Sequence, residues 1–239
     1  MFKFLIFFGL TCIANAAAKQ AISVTVYYEP LCPDSKAFFK NQLMPTYHDL
    51  EQSVDLNLKL IPFGKAKIIK YANDNITMEC SHGPPECYAD KIQACALKIL
   101  DPKNNTLITY LGCLMDLGSK ENEYPTKKCA DSNNISPVTH RVEACATTNQ
   151  WMDLVQQNEK ETKQLSPPLT SVPVIVFQNT FKDDDNIKSR TNFKGVVCKY
   201  IDSPKPKTCE GVSSAPGDSF TTLVGGTILF LSLALNMLR

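Results

Sequence analysis

The sequence predicts an α/β protein with a helical block inserted between its strands, and three observations carry that expectation. An apolar, β-prone run at residues 22–28 leads through a short turn containing Cys32 into a helix-prone segment at residues 35–44. Strand-like segments recur at residues 54–61 and 172–177, on either side of a stretch from about 80 to 165 that is cysteine-rich and helical in pattern. Pro173 opens the last of these strands, where proline fits an edge or a cis bond. Strands flanking a helical run give an α/β core carrying an insertion.

Residues 1–18 read as a secretory signal peptide. Lys3 supplies the positive start, residues 4–13 the apolar stretch, and Ala14, Asn15 and Ala16 a small-x-small cleavage site; cleavage after Ala18 is nearly as good. The domain proper then spans 19–212. In its first strand–turn–helix unit, Cys32, Pro33, Asp34 and Ser35 form a Cys-x-x-Cys motif whose second cysteine is serine. That layout is the one in which thioredoxin-type proteins activate a thiol, since unpaired N–H groups and the positive helix end favour a thiolate. A second cysteine would release a mixed disulfide, and serine is too weak a nucleophile to do so.

Pro45 is expected to kink or end the first helix. Residues 54–61 alternate apolar and polar at period two, a strand stopped by Pro62 and Gly64. Within the insertion, residues 88–100, 106–117 and 137–157 are predicted helical. Residues 172–177 return as a buried strand, and 196–201 read as a further strand or a short helix. At the C-terminus, residues 223–238 are apolar and close on Arg239; Ser213, Ser214 and Ala215 precede them across a short polar spacer. This resembles a glycolipid-anchor signal, removed when lipid is attached. Counting back to Phe220 gives an uncharged stretch, 220–238, long enough for a transmembrane helix. With only Arg239 beyond it, the anchor is the preferred reading of segment 213–239.

Ten cysteines are present, and Cys12 leaves with the signal peptide, so an odd number remains. In a secreted chain that suggests one free thiol. With Cys32 as the odd one, Cys80, Cys87, Cys95, Cys113, Cys129, Cys145, Cys198 and Cys209 can form four bridges. The connectivity is open, except that Cys198 and Cys209 bracket a Pro-rich turn and form the preferred local pair. Cys80, His82, Cys87 and Cys95 also make a candidate zinc set, but the wide spacing and the oxidising compartment favour disulfides, so no metal is expected. N-glycosylation sequons begin at Asn75, Asn104 and Asn134, the last weakened by Pro137. A formal charge of +1 with no basic run excludes an obvious nucleic-acid binder.

These residues resemble a family, the gamma-interferon-inducible lysosomal thiol reductases. Its signature, Cys-Gln-His-Gly-x-x-Glu-Cys-x-x-Asn-x-x-x-x-Cys, is matched by Cys80, His82, Gly83, Glu86, Cys87 and Cys95, with Ser81 and Asp90 in place of Gln and Asn. The context around Val26, Cys32, Gln42, Pro62, Gly64 and Pro173 is similar too. The resemblance implies a thioredoxin-like fold with a helical insertion, reduction of protein disulfides in acidic endosomal compartments, and Cys32 as nucleophile. The family's resolving cysteine falls at Ser35, where this chain departs, and the apolar tail is not part of the family pattern. In thioredoxin-like folds the residue before the cis-proline, here Val172 before Pro173, offers its backbone to an extended peptide. His82 beside Gly83 reads as a turn with a local hydrogen bond, not as a catalytic base.

Two functions follow. The first is a thiol–disulfide oxidoreductase of the secretory or endolysosomal route. It acts on disulfide-containing proteins or peptides through Cys32, with no bound cofactor and with glutathione or cysteine as external resolver. The second is a degenerate, membrane-anchored glycoprotein that binds protein partners without turnover, at the cell surface or beyond it.

Overall fold

The computed structural model describes residues 19–213, apart from 73–74, 101–104 and 120–122. The segment read as a signal peptide, the tail beyond Ser213 and the sequon at Asn104 lie outside the described residues. Among the described residues no helix is long and apolar enough to cross a membrane.

Strand β1 (Gln20–Tyr28) is the centre of the molecule. Its partner β2 (Val54–Pro62) runs parallel to it on one side, with Gln20 level with Val54 and Tyr28 level with Pro62. On the other side β5 (Val174–Phe177) runs antiparallel, with Tyr27 level with Val174. The sheet order is therefore β2-β1-β5, and an isolated bridge joins Phe177 and Thr180 at the end of β5. Being central, β1 is buried on both faces. Ile22, Val24, Val26 and Tyr28 enter the main core, and Tyr27 packs with Ile61, Phe63, Val174 and Val176 on the other side. As an edge strand, β2 keeps its alternation, with Val54, Leu56 and Leu60 in and Asp55, Asn57 and Lys59 less covered.

The first helix is longer than its sequence suggests. It runs from α1 (Pro33–Phe38) through a π-turn at Phe39–Leu43 into α2 (Met44–Leu50). Pro45 has no N–H to give and would crowd the carbonyl four residues back. The wider turn absorbs this: the Met44 N–H donates to the Phe39 carbonyl, five residues back. Pro45 then sits in the first turn of α2, where its missing donor is no loss.

Between β2 and β5 come a hairpin, β3 (Lys67–Lys70) with β4 (Ile76–Glu79), and five helices. These are α3 (Pro84–Ile99), α4 (Asn105–Leu117), α5 (Thr126–Ser132), α6 (Ser136–Thr147) and α7 (Trp151–Lys163). Helix α3 starts earlier than expected because Gly83 turns at φ 84° and Pro84 and Pro85 suit a first helical turn. The predicted single helix at 137–157 is two, broken where Thr148 becomes extended. Short α5 has little apolar periodicity of its own, and the Cys113–Cys129 bridge fastens it to α4.

The segment at 196–201 is helical, not a strand: it ends α8 (Asp183–Lys199) and the turn after it. A short apolar run cannot be told from a buried helix by periodicity alone. Here Val196, Val197 and Cys198 are buried with Phe193, whose ring meets Phe38 edge-on at 5.3 Å. The eight partner cysteines form Cys80–Cys87, Cys95–Cys145, Cys113–Cys129 and Cys198–Cys209, and Cys32 is free. A β1–α1–β2 parallel unit, followed after an insertion by an antiparallel β5 and α8 on the other side of β1, is a thioredoxin-like α/β core.

Candidate active site around Cys32

Cys32 lies just past the C-terminal end of β1 and is the N-cap residue of α1. Its backbone is extended, and its side chain makes no capping hydrogen bond. Its amide donates to the Glu29 carbonyl at 3.2 Å, and its carbonyl accepts from Lys36 N–H at 3.0 Å, so strand end, turn and helix start are one hydrogen-bonded piece. The residue is 9% exposed. Pro33 and Asp34 face solvent, while Ser35 is fully buried and its Oγ accepts the Glu29 N–H at 3.4 Å. The hydroxyl at the resolving position is thus part of the turn's own bonding.

Extending the β1–β5 register by two residues sets Pro173 level with Tyr28 and Val172 level with Glu29. Both are buried, and the peptide bond between them is cis. Val172 and Pro173 therefore reach the same end of β1 as Cys32. Ser171, just before them and exposed, accepts a hydrogen bond from Arg190 at 3.3 Å.

Opposite the thiol lies the loop that the Cys80–Cys87 bridge closes. Glu86 binds this loop to the Cys32 turn. Its Oε1 accepts the His82 backbone N–H at 3.0 Å; its Oε2 lies 2.6 Å from His82 Nδ1 and accepts the Leu31 N–H at 3.3 Å. Glu29, 1% exposed, accepts the Lys65 N–H at 2.9 Å and the Ser81 hydroxyl at 3.1 Å, both at Oε1. Room for this side chain comes from Gly64, which has φ 55°; a Cβ there would meet Glu29 Cγ at 2.2 Å. His82 Nδ1 is 3.5 Å from Glu29 Oε2. Glu29, Cys32 and His82 bring one ligand-type atom each to within 4.8 Å of one another.

The carboxyl groups here act on one another. Burial pushes the Glu86 carboxyl up; the His82 backbone bond opposes this, the Glu29 charge adds to it, and the His82 ring opposes it again. Asp90, fully buried on α3, is pushed well up by burial first and then by Glu86 and Glu29. Its Oδ2 is 3.7 Å from the Cys80 sulfur.

The four residues of the zinc alternative are not a set: Cys80 is bridged to Cys87 and Cys95 to Cys145. His82 does make the local hydrogen bond expected of it, and it also faces the Cys32 turn. Glu29 went unassigned in the sequence, although a carboxylate ending an apolar central strand just before a motif cysteine is a readable signal. Asn75 and Asn134 are exposed.

A free cysteine at the head of the first helix, in a core of this strand order, defines a thioredoxin-like thiol protein. Comparison with known proteins gives the particular family. The profile described as gamma interferon inducible lysosomal thiol reductase (GILT) matches residues 23–133. GILT-like protein 1 of Drosophila melanogaster is 30% identical over 88% of this chain and 87% of its own length. A gamma-interferon-inducible lysosomal thiol reductase-like protein of Anopheles gambiae is 32% identical over 90% and 89%. The chain belongs to this family. Among solved structures, BdbD from Bacillus subtilis aligns with a TM-score of 0.48 at 12% identity, over 70% of this chain and 83% of that one; the fold stands on the strand order described above.

Proposed function

We propose that the chain is a thiol–disulfide oxidoreductase of the secretory route that acts on protein disulfides through Cys32 alone. The observation that carries this reading is a free cysteine at the N-cap of α1 with a buried serine at the resolving position. Cys32 thiolate attacks one sulfur of a substrate disulfide; that S–S bond breaks and the other sulfur leaves as a thiolate. A glutathione-type thiolate then attacks the Cys32 sulfur of the mixed disulfide and frees the substrate's second thiol. A second such thiolate regenerates Cys32 and leaves as the external disulfide. Val172 and Pro173, at the same end of the sheet, offer backbone to an extended substrate segment. Isomerisation also needs only the one attacking thiolate: the freed substrate thiolate exchanges with another disulfide, and a different substrate thiolate then displaces Cys32.

The reading is tested by turnover of a disulfide-bonded protein with and without glutathione. Wild type is expected to turn over only with glutathione and to accumulate mixed disulfides without it. Ser35→Cys should release those complexes unaided, because an oriented intramolecular thiol has an effective molarity of up to about 10⁵ M or more. One observation favours binding without turnover: Ser35 Oγ is occupied by the Glu29 amide, so nothing at that position can release a trapped partner. No turnover with glutathione and no gain in a folded Ser35→Cys protein would select that reading. Delivery by residues 1–18 and anchoring by 213–239 complete the proposal; release from cells by a phospholipase specific for glycolipid anchors tests the latter.

A further inference from the structure

Glu29 Oε2 is a buried carboxylate oxygen with no hydrogen-bond partner, in a side chain that is 1% exposed. Its other oxygen holds two donors and so fixes the carboxylate's orientation. A native buried acceptor left without a donor calls for a bound water or ion beside it. What faces it is the ring of His82, whose Nδ1 lies between two carboxylates, 2.6 Å from Glu86 Oε2 and 3.5 Å from Glu29 Oε2. The third neighbour is the Cys32 sulfur, the one cysteine among the described residues not consumed by a bridge. Such a place favours a cation.

We propose that Glu29, Cys32 and His82 form a binding site for a zinc-class divalent metal ion at the mouth of the thiol site. Thiolate, imidazole and carboxylate are the ligand types that zinc takes. Zinc bonds of about 2.0–2.3 Å at tetrahedral angles set ligand atoms roughly 3.3–3.6 Å apart. The His82 Nδ1–Glu29 Oε2 separation of 3.5 Å already has that value, and all three atoms lie within 4.8 Å of one another. Turning the Cys32 side chain, which makes no hydrogen bond as a cap, is the adjustment the site needs. Binding displaces the Cys32 thiol proton and any proton on the coordinating nitrogen, with no change of oxidation state. Glu86 Oε2, 2.6 Å from that same Nδ1, gives up this hydrogen bond when the nitrogen takes the metal, and Glu86 still holds the loop through the His82 and Leu31 amides. Serine at position 35 matters here, because no neighbouring thiol can oxidise with Cys32 and withdraw it from the metal.

Two measurements on the mature protein test the site. Added Co²⁺, a spectroscopic substitute for zinc, should give a thiolate-to-metal charge-transfer band that saturates at one equivalent and vanishes in Cys32→Ser. Added Zn²⁺ at one equivalent should protect Cys32 from alkylation, and a chelator should restore its reactivity. Glu29→Gln, close in shape to the native residue, and His82→Asn should each weaken Zn²⁺ binding by tenfold or more with the circular dichroism unchanged. A wild-type protein that shows neither the band nor protection overturns the proposal. So does protection that persists at wild-type affinity in both folded variants, since that would be binding by the cysteine alone.

Discussion

Two buried aspartates, one at each end of the fold, show what separates the site from its scaffold. Asp185 opens α8 and has partners: Lys199 Nζ at 2.7 Å and Tyr200 Oη at 2.5 Å. Burial works to raise its carboxyl, but those hydrogen bonds and the Lys199 and Lys182 charges outweigh it, and the net shift is downward. Asp90 lies in α3, and its Oδ1 has no hydrogen-bond partner among the described residues. Burial and two neighbouring carboxylates drive it the other way. Asp185 is partnered by a cation, whereas at the site burial and a neighbouring carboxylate raise both Glu86 and Asp90. Perturbed groups of that kind gather where chemistry is done.

The largest expected effect separates the two regions by function. Cys32→Ser should abolish mixed-disulfide formation outright, while Lys199→Met, which disturbs only the Asp185 end, should leave it intact; trapping with a disulfide-bonded substrate and non-reducing electrophoresis reads both. Next comes Glu86→Ala. It strips the acceptor from the His82 amide, the His82 ring and the Leu31 amide, so about 3 kcal/mol of stability should be lost, measured by urea unfolding. Full stability in that variant would mean the Cys80–Cys87 loop is held by its bridge alone.

Smaller effects should have opposite pH signs. The folded carboxyl of Asp185 is lowered, so its stabilisation is present above the unfolded aspartate range and lost as pH falls through the folded one. Asp185→Asn should lower the melting temperature near neutral pH, with the difference from wild type shrinking in acid. The folded carboxyl of Asp90 is raised, so the native state keeps a proton that the unfolded chain releases, and stability declines as pH rises toward the folded value. Asp90→Asn should therefore melt higher than wild type near neutral pH and converge with it in acid. If both variants shift in one direction, the contrast between the two ends is wrong.

Strand, cysteine turn and helix were legible in the sequence because they are local: period-two alternation marked β2, an apolar, β-prone run marked β1, and an odd cysteine marked Cys32. The cysteine-rich helical insertion was legible for the same reason, but α5 was not, since a seven-residue helix fastened by the Cys113–Cys129 bridge needs no periodicity of its own. Residues 196–201 stayed open between strand and short helix, because a buried helix end and a buried strand present the same apolar letters, and the structure makes them the end of α8. What only the tertiary structure decided is the company Cys32 keeps. Glu29 is close in sequence but is aimed by Gly64, Lys65 and Ser81, and His82 arrives from fifty residues away through a bonded Glu86. Backbone patterns state which face of an element is apolar. They do not state which polar side chains meet across the turns, and that meeting is set by packing and by the requirement that buried polar groups find partners.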